Sequence, residues 1–173
     1  MRLEIFHNTN QEEVIAAAKC EQSCSKCMSG CSYGSGAFAQ GEEKKLAEFL
    51  GVSEEELNKN YLEPIQKFDT VLMRPKLIRE QDKPYGQCIF FHPKIGCTIH
   101  EVKPLQCKTA TCKEHGEDTN LWFELNNFLD KNNPESIRQF IQYLRSGGKT
   151  LQGADFHELF DEEMLKQALS YEK

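Results

Sequence analysis

The chain has 173 residues with 28% charged and 39% hydrophobic positions, a length that suits one domain with a real core and a composition that excludes disordered and fibrous classes. A net charge of −6 with pI near 5.4 argues against a general nucleic-acid binder, whose affinity comes from phosphate neutralisation. The most apolar early run, Val14-Ile15-Ala16-Ala17-Ala18, is far shorter than the roughly 18 residues of a membrane span, so no membrane partner is expected.

The opening MRLEIFHNTN turns polar at once and lacks an apolar signal-peptide core, which predicts a cytoplasmic protein. Asn10 with Glu13 reads as a capping box, and helix is expected from there through Lys19 directly into a first cysteine block, Cys20, Cys24, Cys27 and Cys31. Ser29-Gly30 and then Tyr33-Gly34-Ser35-Gly36 should end it. At 100° per residue the four cysteines lie within about 60° around a helix, one sulfur stripe. An unbroken helix would still spread them over about 16 Å. The helix must therefore break at Ser29-Gly30 and fold Cys31 back, or the stripe serves two centres. Gly30 favours the break.

Residues 41–51 predict a short amphipathic helix stopped by Gly51, and Ser53 with Glu56 caps a second helix running through Leu57 and Tyr61 to about Pro64. From Thr70 to Thr98 short apolar runs, Val71-Leu72-Met73, Leu77-Ile78 and Ile89-Phe90-Phe91, predict two or three short strands, and residues 92–96 a tight turn. The second cysteine block, Cys88, Cys97, Cys107 and Cys112, flanks these turns. Helical periods follow at Thr119–Leu129, at Pro134–Leu144 and at Asp155–Leu169, and their aromatic and aliphatic residues read as core. The expected fold is α+β and mostly helical: a small β-hairpin region carries the second cysteine block and packs on several helices. A single domain over 1–173 is expected, with a cysteine core at 20–112 and a helical extension at 117–173.

Eight cysteines in a chain without an evident leader point to metal ligation rather than a disulfide framework or unligated thiols. The C-x2-C pair Cys24 and Cys27 is the strongest local element, because two intervening residues let both sulfurs reach one ion. Cys31, Cys88, Cys97 and Cys107 complete the expected core set, with Cys20 and Cys112 as auxiliaries that could equally be inert thiols. His100 and His115, near the second block, are imidazole candidates, though lone surface histidines are the commoner case; His7, His92 and His157 have no cysteine context. Cys20-x3-Cys24-x2-Cys27 has the spacing of radical S-adenosylmethionine enzymes, but Lys26 stands where those carry an aromatic and the chain is too short for their barrel.

The order of these pieces resembles the YkgJ family, zinc- or iron-chelating domains known for a CxxCxxCC motif. Cys24-Ser-Lys-Cys27-Met-Ser-Gly-Cys31 aligns with that motif, with Gly30 in place of a cysteine. Residues 86–91 and the run Gly96-Cys97-Thr-Ile-His-Glu-Val-Lys-Pro-Leu-Gln-Cys107 resemble its C-x-F-L and C-x-I-Y-E-x-R-P-x-x-C elements, with His100 for tyrosine and Lys103 for arginine. The likeness covers about residues 20 to 112. It implies an iron–sulfur cluster, [4Fe–4S] foremost, or zinc, and an accessory, redox or maturation role. Zinc and cluster both accept all-sulfur ligation, so residue types do not separate them. A cysteine-rich relative that methylates flagellin lysines implies the alternative of a metalloenzyme modifying a protein or small molecule, methylase-like or S-adenosylmethionine-dependent, although no G-x-G-x-x-G follows a strand here. No residue pattern identifies a protein partner, substrate or oligomeric state.

Overall fold

A computed structural model describes residues 4–19 and 30–170, and its architecture is the expected mostly helical α+β. Helix α1, Gln11–Ala18, is capped by the Asn10 side chain, which accepts the Glu12 amide at 2.8 Å, and it buries Val14 and Ala18. It stops at Lys19, whose backbone is already extended at φ −50°, ψ 128°, so the helix does not run on into the first cysteine block. Cys20, Cys24 and Cys27, and the sulfur stripe read from them, lie outside the described residues. The chain is described again from a helical turn at residues 30–33 that includes Gly30; Ser29, the other half of the expected break, lies outside the described residues.

Helices α2, Glu43–Leu50, and α3, Glu54–Asn60, match expectation. Gly51 closes α2 at φ +67°, a conformation that disfavours any side chain, and Ser53 accepts the Glu56 amide to start α3. The extension of α3 to Pro64 is incorrect. Strand β1, Leu62–Lys67, begins two residues after Asn60 and pairs antiparallel with β2, Thr70–Pro75, from Leu62↔Pro75 to Lys67↔Thr70. Pro64 has no amide for a helical hydrogen bond, yet on an edge strand it costs no ladder bond.

The hairpin turn is Phe68-Asp69, both at positive φ (48° and 57°), the geometry that two-residue hairpins require and that glycine or asparagine normally supplies. Phe68 is held there by packing: its ring is 6% exposed, edge-on to Phe140 at 5.3 Å and Tyr143 at 5.5 Å. The left-handed backbone costs about 1–2 kcal/mol, whereas burying a phenylalanine returns about 2–3 kcal/mol, so burial wins. The hairpin tip thereby pegs the helical extension to the front of the molecule.

Two shorter hairpins follow, β3 (Leu77–Ile78) with β4 (Gln87–Cys88) and β5 (Phe91–His92) with β6 (Gly96–Cys97), the second closing the expected turn. A 3-10 turn at His100–Val102 leads to helix α4, Leu105–Thr109. The extension holds α5 (Gly116–Asn127), α6 (Pro134–Arg145, proline in its first turn), α7 (Phe156–Leu159) and α8 (Glu162–Leu169). The single helix expected over Asp155–Leu169 is two, because Phe160 turns extended into the core and Asp161 caps a new start by accepting the Met164 amide at 2.8 Å.

Two buried clusters result. One joins α1, the β1–β2 hairpin and the extension around Trp122, Phe123, Phe128 and Phe140. The other gathers Phe38, Leu46, Leu57, Phe90 and Ile99 with Cys88. Ala37 and Leu105 belong to the first and Phe38 and Cys88 to the second, so the second cysteine block lies along their seam. Among the described residues no helix is long and apolar enough to cross a membrane.

Glu63 orders that seam. From β1 its carboxylate accepts Arg74 Nε at 3.0 Å, Arg79 Nη2 at 2.6 Å and the Leu77 amide at 3.4 Å, and Leu77 is the register partner of Cys88. The Arg79 hydrogen bond is the main reason that its pKa is held down at about 2. A carboxyl depressed in the folded state adds stability that is present above its unfolded value and is lost as pH falls toward 2. Glu63→Gln should therefore cost about 2 kcal/mol at pH 7, discounted for partial solvent screening, and almost nothing near pH 2. Urea unfolding of both proteins across that range measures it.

Candidate metal centre

The second cysteine block reaches one cleft because Cys88, Cys97 and Cys107 are carried on short elements at the seam. Cys88 closes β4, Cys97 closes β6 and Cys107 sits in α4; across from them Cys31 occupies the helical turn at residues 30–33. All four line one cleft of about 830 Å³ whose walls are mainly apolar, among them Ile15, Phe91, Ile99 and Pro104. Cys88 is buried and the other three half-buried. They are near enough to hinder ionisation: Cys31 and Cys97 raise the Cys88 thiol further, and Cys31, Cys88 and Cys97 that of Cys107. Cys31, Cys88, Cys97, Cys107 and Cys112 are all free thiols, not disulfides.

Backbone amides are aimed at these sulfurs. The backbone amides of Phe90 and Phe91 favour the charged form of Cys88 and that of Ile99 the charged form of Cys97, while Gly36 donates a hydrogen bond to Cys107 Sγ at 3.3 Å. The first three arise because the chain turns immediately after each cysteine, bringing amides two or three residues later back to the sulfur. The fourth comes from a separate segment. Gly36 lies so close to α4 that a Cβ there would stand 2.7 Å from Cys107 Sγ and 2.8 Å from its amide nitrogen. Ala37 accepts the Gln106 amide through its carbonyl at 3.2 Å and donates to Gln106 Oε1 at 2.8 Å, and Ser35 Oγ donates to the Pro75 carbonyl at 2.6 Å. Glu42 fixes α4 from its other side, accepting the Leu105 amide and the Lys108 ammonium as well as the Ala39 amide.

Burial pushes the Cys88 and Cys107 thiols up to about 12, and those of Cys31 and Cys97 also upward, neighbouring sulfurs adding to the shift at Cys88, Cys97 and Cys107. Amide donors oppose the shift at Cys88, Cys97 and Cys107, since hydrogen bonds to a charged sulfur favour its charged form. In a metal-free chain burial prevails and the thiols are neutral at pH 7. Amides converging on buried sulfurs fit a thiolate-bound cation, which supplies the positive charge that burial demands. Among the described residues no three His, Cys, Asp or Glu side chains are gathered closely enough to hold a single metal ion.

The remaining candidates divide. Cys112 lines the same cleft but is exposed. His100 also lines it, half-buried, its pKa lowered by burial and then by Lys103. His115 is engaged elsewhere, with Nε2 3.0 Å from the Ala17 carbonyl at the end of α1. Gly36, Gln106, Glu42 and the amides of Phe90, Phe91 and Ile99 are contributors that residue type did not reveal. The one available signal was the glycine spacing in Gly34-Ser35-Gly36, read only as a turn.

No curated protein and no solved structure matches this chain. Residues 19–133, two thirds of it, match the model of a family described as CxxCxxCC, putative zinc- or iron-chelating domain. The match spans Cys31 and the whole second cysteine block, and the chain belongs to this CxxCxxCC family.

Proposed function

We propose that this chain binds an iron–sulfur cluster of the [4Fe–4S] type through Cys31, Cys88, Cys97 and Cys107, and serves as an accessory protein in redox or maturation chemistry in the cytoplasm. The observation that carries the reading is the set of amide donors trained on three mutually interacting sulfurs. Cys24 and Cys27 join the core set on their C-x2-C spacing, with Cys20 and Cys112 as auxiliaries, so that a second centre can be built from the sulfurs the first leaves over.

The choice of cluster over zinc is supported by the soft sulfur donors Cys31, Cys88, Cys97 and Cys107 that line the cleft and by the amide hydrogen bond that reaches them. When bound, such a cluster supplies one-electron chemistry tuned by hydrogen bonds to its sulfurs. The protein's own residues orient the thiolates, donate those bonds and surround them with an apolar wall. The cleft is also of the size that holds small ligands, which supports the second reading, an enzyme acting beside the centre.

Anaerobic purification with iron, sulfide and zinc analysis tests the proposal. A brown protein absorbing near about 400 nm with matching iron and sulfide supports it; a colourless protein with stoichiometric zinc replaces the cluster by zinc. Binding of S-adenosylmethionine to the loaded protein would favour the enzyme.

A further inference from the structure

Lys103 stands between the 3-10 turn and Pro104, and proline confines the residue before it to extended backbone. Lys103 accordingly has φ −57°, ψ 151°, which takes it out of the turn; it lines the cleft beside Cys31, Cys97 and His100. Its charge is felt at all three. Other half-buried basic side chains have partners: Lys67 pairs with Glu124, Arg74 with Glu63, Lys108 with Glu42 and Arg138 with Glu135, while Lys76 donates to the Lys59 carbonyl. Among the described residues Lys103 is the half-buried basic side chain that forms no ion pair or hydrogen bond through its ammonium. A charge withdrawn from water without a counter-charge is costly. Thiolates gathered on a bound metal centre carry net negative charge, which is the missing partner.

We propose that Lys103 is the counter-ion of the cysteine centre, placed by Pro104 so that its ammonium stabilises the thiolates of Cys31 and Cys97 when metal is bound. The inference rests on the metal-binding reading above. It makes Lys103 a positioning residue acting through charge: loss of the ammonium weakens metal retention, and any side chain restoring the charge restores it.

The test loads the full-length chain with Zn²⁺ alone and follows its transfer to a chelator, at about 0.02 M and about 0.5 M salt. Lys103→Gln should weaken zinc affinity about tenfold at low salt, the scale of losses around a metal's immediate ligands. Lys103→Arg should stay within about twofold of the wild type, and the gap to Lys103→Gln should narrow at high salt. Equal affinities for Lys103→Gln and wild type, an arginine variant as weak as the glutamine one, or a gap indifferent to salt would each overturn the inference while leaving the metal reading intact. A wild-type chain that takes up neither zinc nor, on anaerobic reconstitution with iron and sulfide, a cluster would overturn that reading and this inference together.

Discussion

Gly36→Ala is expected to cost the protein about 4–6 kcal/mol of stability and about 10–100-fold in metal affinity. The added methyl would meet Cys107 Sγ at 2.7 Å, its amide nitrogen at 2.8 Å and Gln106 Cβ at 3.0 Å. Two of these atoms belong to the foundation of α4, not to the mobile end of a side chain, so the segment at residues 35–37 must retreat. Retreat breaks the Gly36 amide bond to sulfur and both bonds between Ala37 and Gln106. Overpacking of this kind costs about 1–3 kcal/mol, and each lost hydrogen bond adds about 1 kcal/mol. Gly34→Ala is the control two residues away: nothing stands within 4 Å of its Cβ and its φ is not left-handed, so stability should change by less than about 0.5 kcal/mol. Thermal unfolding with a metal competition assay on both variants checks the pair.

The second large effect is the linkage of metal, protons and folding. Cys88 and Cys107, pushed up to about 12 by burial, hold their protons at neutral pH in the metal-free chain. Each proton displaced on binding makes apparent affinity rise tenfold per pH unit, so a four-thiolate centre should show a slope approaching four in log affinity between pH 6 and 8. For the stripped protein the sign reverses. A thiol whose pKa is raised by folding adds stability that is present below its unfolded value and is lost as pH climbs from about 9 toward 12, so the metal-free chain should unfold in alkali where the loaded one does not. Cys107→Ser should abolish both the steep slope and the stabilisation of about 4 kcal/mol that free metal at about 1000 times its Kd confers, whereas exposed Cys112→Ser should retain most of each. Titrations at three pH values with proton-release measurement distinguish these outcomes.

Much of the helical scaffold was legible because its signals are local. Asn10, Ser53 and Asn133 cap where their residue types say they should, Gly51 ends α2, and Pro134 begins α6. The same locality explains the misreadings. Nothing near Pro64 announces β1, because the pocket that holds its turn residue Phe68 comes from α6, some 70 residues on. A Phe-Asp hairpin turn carries no glycine for a sequence reader to find, and its strain is repaid only by tertiary burial. At the site, sulfur identity was visible but support was not. Amides have no residue-type signature, and the closeness of Gly36 to Cys107, 71 positions apart, follows from the packing of α4 alone. Lys103 stood out in the sequence only as the residue in place of the family's arginine, and the cleft it lines was not visible there.

X-ray absorption at the metal edge of the anaerobically purified, full-length protein probes the central claim most directly. An all-sulfur shell at about 2.3 Å, diminished on Cys107→Ser and unchanged on Cys112→Ser, is the predicted result. A shell of oxygen and nitrogen, or a sulfur shell indifferent to Cys107→Ser, would contradict it.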